Sequence, residues 1–311
     1  MNSKPNVKQE VKDLNVRIRG LLPLAYHSCL DSISPNSMGS AGLKYDAEGR
    51  VAWDEIWTTF CDLAMAGGPP HRGKLLGPVN ADDVLKDIER SKAAALEIQR
   101  GIALTTGMKA LVDDQSNWVL LECESENMAA WMHRAIVAEN VFADHDGIVV
   151  RLPSGPGFRI EKEVKNVIVC VAKTWHYWDG HMSDNEKSKA AKVMNDATLI
   201  APQLAFSYQL QPESYEKFAT ETISVIEGAL GLKNKASSDF GWVGFESPDE
   251  KSAAWMVRAL IAVNILARRE NSTLLIPVFI PRFSDDHFEK LSPVLGAIRN
   301  VYEYQLETGD V

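Results

Sequence analysis

The sequence predicts an α/β (or α+β) fold, internally duplicated into two pseudo-symmetric lobes of about 124 residues each, with an N-terminal helical extension in front. Three observations predict it. One offset relates the two halves, strands alternate with helices in each half, and an amphipathic segment precedes both copies. Residues 118–143 and 242–267 match at 13 of 26 positions, among them the AAWM core of each segment. The same offset pairs Leu75 with Leu199, Pro78 with Pro202, Gly107 with Gly231, Lys109 with Lys233 and Pro153 with Pro277. An offset that survives more than a hundred residues means that loops kept their lengths, as duplication of a folding unit does.

Elements follow in order. Val11, Leu14, Ile18 and Leu21 or Leu22 fall at helical spacing in the N-terminal extension. Segment 34–50, rich in Ser and Gly, reads as a loop with a short strand at Gly42–Asp46. Each unit then begins with a helix (51–66 or 184–194), followed by an extended piece containing the shared proline. An amphipathic helix comes next, at 81–105 or 213–229. A strand opened by Trp118 or Trp242 leads into a helix at 126–142 or 249–267. A second strand ends near Pro153 or Pro277, and a last helix covers 160–181 or 285–305. Strands separated by helices of this length suggest crossover connections. The domain boundaries that follow are 1–60 for the extension, loop and lead-in helix, 61–184 for the first repeat and 185–311 for the second.

Hydrophobic residues make up 45% and charged residues 24% of 311, the composition of an ordinary globular chain. The four cysteines (Cys29, Cys61, Cys123, Cys170) are far apart and form no CxxC, which argues against a zinc ribbon or redox pair. A net charge of −9 without a dense basic run argues against nucleic acid. No apolar run has the length of a membrane span and no signal-peptide core is visible, so the expected location is cytoplasmic.

Residues shared by the halves are read as scaffold. They include Trp131 with Trp255, Asn140 with Asn264, and two expected strand-to-helix ion pairs, Glu122–Arg134 and Glu246–Arg258. His133, which stands where the second half has Val257, reads as a part-exposed substitution, and His145 as a turn residue.

Unshared segments are where a site is expected, and two are chemically rich in the first half only. Residues 66–76 (AGGPPHRGKLL) contain G-x-x-x-x-G-K, yet a P-loop is rejected. Leu75 replaces the magnesium-binding hydroxyl, Pro69 and Pro70 lack the N–H groups that cradle phosphate, and a helix is expected before the loop rather than after it. What remains is a stiff turn presenting His71, Arg72 and Lys74, groups suited to a carboxylate or phosphate. Arg159, beyond a strand end, is a second anchor. The other segment is the helix end 172–181, where Lys173 and Tyr177 lie one turn apart. There Tyr177, His176 and Lys173 are the candidates for proton transfer. A variant of this reading adds a divalent transition metal held by His71, His176 and His181.

The expected function is a cytosolic small-molecule enzyme that binds an anionic metabolite at a single site in the first repeat. Two alternatives stand beside it: a non-catalytic small-molecule-binding or sensor protein, and a structural or assembly protein with a duplicated interface. The expected partners are a small anion and further copies of the chain in a homo-oligomer, with neither nucleic acid nor membrane.

Overall fold

The computed structural model describes residues 7–27, 42–57, 63–113, 118–202, 212–237, 239–280 and 287–308. In chain order the elements are α1 (Val7–Leu21), α2 (Ala81–Lys86), α3 (Ile88–Thr106), β1 (Ala110–Val112), β2 (Val119–Glu122), α4 (Glu126–Ala138), β3 (Asp144–Asp146), β4 (Val149–Leu152), α5 (Lys165–His181) and α6 (Asp184–Asn195). They continue with α7 (Pro212–Leu230), β5 (Lys233–Lys235), β6 (Trp242–Glu246), α8 (Glu250–Ala262), β7 (Arg268–Glu270), β8 (Thr273–Pro277) and α9 (His287–Thr308). The fold is mixed helix and strand, with two four-stranded antiparallel sheets, the α+β form of the expected class. Among the described residues no helix is long and apolar enough to cross a membrane.

The chain forms two compact units, residues 34–188 and residues 1–33 with 189–311. In the 34–188 unit the sheet order is β1-β2-β4-β3. Helices α3 and α4 pack on the sheet, and α5 packs on both helices. Consequently α5 is buried all round from Val167 to Thr174, not along one stripe. Gly101 allows the close approach of α3 to α5, because a Cβ there would stand 2.2 Å from Ile168 Cδ1.

The other unit repeats this arrangement. Its sheet order is β5-β6-β8-β7, α7 and α8 pack on the sheet, and α9 packs on α7 and α8. Helix α1 lies against α8 and α9 with Leu14, Ile18 and Leu21 buried. Arg17 of α1 pairs with Asp196 and donates to the Ala262 carbonyl at 2.7 Å. Helices α3 and α7, helices α4 and α8, and strands β3 and β7 begin and end at equivalent positions of the 124-residue offset. Asn140 and Asn264 both turn left-handed (φ 60° and 62°), as do Gly107 and Gly231 (both 71°). The Trp131–Trp178 and Trp255–Tyr302 ring pairs each have centroids 5.5 Å apart.

Several expectations are corrected. Crossover connections imply parallel strands, but β2 and β4 are antiparallel. The reason is an unread strand: β3 follows α4 and folds back on β4 through a two-residue turn at Gly147 (φ 55°), adding one reversal of direction. Asn271 (φ 52°) does the same between β7 and β8. The lead-in helix expected at 51–66 is two single 3-10 turns, Trp53–Glu55 and Ala64–Ala66, and 58–62 lie outside the described residues. Tertiary contacts override helical propensity there. Trp53 is buried and donates to Glu97 at 2.7 Å, while Leu63–Ala66 are buried, with Gly67 ending the turn at φ 98°. Helix 81–105 is split at Asp87, whose side chain caps α3 by accepting from the Arg90 N–H. At Gly42–Asp46 only a bridge from Tyr45 to Val51 forms. Glu122 pairs with Lys109 at 2.6 Å and not with Arg134, which is buried and donates to the Ala130 carbonyl. Cys123 and Cys170 are buried thiols; Cys29, Cys61 and the loop at 34–41 lie outside the described residues.

Candidate functional site

The unshared loop is anchored at the C-terminal end of α4. Ser125 caps the start of this helix by accepting from Met128, and Asn140 reverses the chain after its end. Between helix and reversal stands Glu139. Its Oε1 accepts from the Ala64 N–H at 2.8 Å, and its Oε2 accepts from the His71 N–H at 2.8 Å and from Lys173 Nζ at 2.6 Å. Both side chains of the Glu139–Lys173 pair are fully buried. A buried carboxylate is tolerable only with its lone pairs occupied, and three donors meet that condition. Neighbouring bonds hold the loop at the backbone. Asn140 Nδ2 donates to the Arg72 carbonyl at 2.8 Å, the Arg72 N–H to the Glu139 carbonyl at 3.3 Å and the Leu76 N–H to the Asn140 carbonyl at 2.8 Å.

His71 therefore has a fixed place. Its Nε2 lies 2.9 Å from Asn166 Oδ1 at the start of α5. An amide oxygen can only accept, so the imidazole proton sits on Nε2 and the Nδ1 lone pair is left over. Burial, then the charge of Lys173, pushes the His71 pKa down to about 4, with Arg72 and Lys165 adding to the fall and the Asn166 bond opposing it. Such an imidazole is neutral at pH 7 and a weak base there.

Arg159 precedes a π-helical turn, Ile160–Val164, closed by the Val164 N–H donating to the Arg159 carbonyl at 3.1 Å. Glu163 of that turn accepts from Arg159 Nε and Nη2 at 3.1 and 3.0 Å, and this contact holds its carboxyl down to about 2. The same carboxylate acts electrostatically on Arg72, whose own pKa is lowered by burial. Arg72 and Lys165 thus act electrostatically on His71, and Glu163 acts on both Arg72 and Arg159. Lys74 is exposed, and its carbonyl accepts from Arg72 Nε at 3.3 Å.

Of the proton-transfer candidates, His176 and Tyr177 lie side by side, with ring centroids 5.8 Å apart. Side chains on a helix lean toward its N-terminus, and Lys173 reaches back to Glu139. Tyr177 is buried, and His176 Nε2 lies 3.0 Å from His181 Nε2 at the exposed helix end. The expected metal set fails to converge. His71 meets Asn166, ten residues before His176 and so roughly 15 Å along the axis. Among the described residues, the one group of three ligating side chains is His133, Asp144 and His145, with donor atoms within 4.8 Å of one another.

Sequence reasoning missed Glu139, Asn166 and this triad. His133 is buried, with Nδ1 2.8 Å from His145 Nδ1, because strand β3 carries His145 onto α4. Burial lowers the pKa of both rings. The signal was the asymmetry between halves: Glu139 and Lys173 correspond to Val263 and Ala297, and His133, Asp144 and His145 to Val257, Arg268 and Arg269. A pocket of about 410 Å³ in the other unit, beside the stacked rings of Tyr215 and Phe240 (centroids 4.3 Å apart), is lined by none of the expected site residues.

Comparison of the chain with protein-family models, with curated proteins and with solved structures gives no match.

Proposed function

We propose that this protein is an internally duplicated small-molecule-binding protein whose 34–188 unit carries the single binding site, for a small anion such as a phosphate or carboxylate. His71, Arg72 and Lys165 are its contact groups, with Arg159 and Lys74 at the rim. One observation carries the reading: His71 and Arg72 are adjacent on a loop held in place, with the His71 ring fixed on Asn166 and the Arg72 carbonyl on Asn140. A loop that gathers positive charge around a neutral, oriented imidazole is arranged for an anion. The duplication is supported by the common offset of helices, left-handed turns and ring pairs. A single site is supported by the second half, where His71 and Arg72 correspond to Asn195 and Asp196, the latter paired with Arg17.

Binding is favoured over proton transfer at the loop because His71 is a weak base there. The test is an NMR titration of the full chain with inorganic phosphate. Bound phosphate should raise the His71 pKa, and Arg72→Ala should weaken affinity about tenfold, one charge-assisted hydrogen bond. If the His71 ring signals ignore phosphate and sulfate, the reading is wrong.

A further inference from the structure

We propose a second site in the same unit: His133, His145 and Asp144 bind one divalent transition-metal ion. The donor set is two imidazole nitrogens and a carboxylate oxygen, the mixture that suits zinc and its first-row neighbours. Its geometry is close to what such an ion needs. Two nitrogens at about 2.0–2.1 Å from a tetrahedral zinc stand roughly 3.3 Å apart. Here the two Nδ1 atoms are 2.8 Å apart, and all three donor atoms fit within 4.8 Å. Without metal, one Nδ1–H must donate to the other Nδ1. An ion takes the place of that proton, which moves to Nε2 of the donating ring, so both rings ligate in the neutral form.

The ligands stand on ordered elements. His133 comes from the buried face of α4, and Asp144 and His145 from β3. Strand β3 is the edge of its sheet, and its residues Asp144 and His145 are part-exposed, so the ion reaches the site from the strand edge. Three protein ligands leave a fourth position for water. Arg151, across the ladder on β4, is ion-paired with Asp144 and orients the carboxylate from behind. The charges facing the rings are those of Arg134, Arg151, Asp144 and Asp146. Two of these are cations, which sets the affinity below that of a bare His-His-Asp set. Val257, Arg268 and Arg269 at the equivalent positions offer no ligand set, so the expected stoichiometry is one ion per chain.

The test is zinc titration of chelator-treated full-length protein against a chromogenic competitor, with cobalt absorption as a second readout. His133→Val copies the residue of the other half, and His145→Ala removes the ligand on the exposed strand, so the pair stays informative if one variant misfolds. Each should weaken zinc binding more than about 100-fold, beyond the effect of losing an outer-shell partner, and abolish the tetrahedral cobalt bands. His176→Ala with His181→Ala should leave both intact. No zinc binding by the unaltered chain, equal binding by the His133→Val and His145→Ala variants, or loss of binding with the His176/His181 change would each overturn the proposal.

Discussion

At the end of α4 the chain places a buried glutamate; at the equivalent end of α8 it places Val263. The corner is otherwise built alike. Asn140 and Asn264 make the same left-handed turn, and Leu76 and Ile200 make the same parallel bridge to the next segment. Each asparagine amide donates to a carbonyl of the preceding segment, that of Arg72 in the loop or of Val193 in the last turn of α6. Opposite the corner, Lys173 becomes Ala297. One backbone arrangement therefore accepts either a buried ion pair or two apolar residues at the same positions. The difference teaches that the ion pair is not needed to close this fold. It is needed to hold the His71 loop, whose N–H groups end on the Glu139 carboxylate.

Exchanging the two solutions gives the largest expected effect. Glu139→Gln leaves the Lys173 ammonium buried without its counter-charge and should cost about 3–5 kcal/mol in urea unfolding. Glu139→Val together with Lys173→Ala, the residues of the other half, should recover much of that loss. A double variant as unstable as the single one would break the comparison.

The turn asparagines come next. Asn140→Ala and Asn264→Ala each put a residue that tolerates the left-handed region less well than asparagine at a positive φ and remove a side-chain hydrogen bond, for about 2 kcal/mol each. Glycine at either position restores the backbone share of the loss. The comparison sharpens in ligand binding: Asn140→Gly should weaken phosphate binding by loosening the Arg72 carbonyl, and Asn264→Gly should not. Equal effects from the two variants would place the anion elsewhere.

The smallest effect is in pH dependence. His71 titrates at about 4 in the folded chain against 6.5 for the free side chain, so the unfolded chain binds more protons between those values. Its contribution is full above about pH 6.5 and is lost as pH falls toward 4. With a discount for its partial exposure, the span is about 1–2 kcal/mol. Burial lowers His133, His145 and His176 too, so the measurement is the difference between the unaltered chain and His71→Asn, the residue of the second half. Parallel stability curves over that range would show that His71 is not the group responsible.

How far the sequence could be read differs by element. Helices α3, α4, α5, α7, α8 and α9 were legible because each carries helical periodicity over several turns. The three-residue strands β1, β3, β5 and β7 were not, since so few residues give no period to detect. The Asp146-Gly147 pair was a hairpin signal left unread, and it decided strand direction. At the site, His71 and Arg72 stood out by their types. Glu139 did not, because a glutamate at a helix end looks solvated until the loop 63–71 is laid over it.

The sequence by itself determined the repeated order of helices and strands, the shared asparagines and glycines at equivalent positions, and the halves' unequal stock of charged and imidazole groups. These follow from local backbone preference, periodicity and residue chemistry. Only the tertiary structure decided which of those groups meet. It turned Lys173 toward Glu139, set His71 on Asn166, and brought His133 to His145 across a helix and an edge strand. The physical reason is that burial selects partners by geometry in three dimensions. A charge or imidazole taken out of water must find a complement within hydrogen-bond reach, and chain spacing does not say where that complement is.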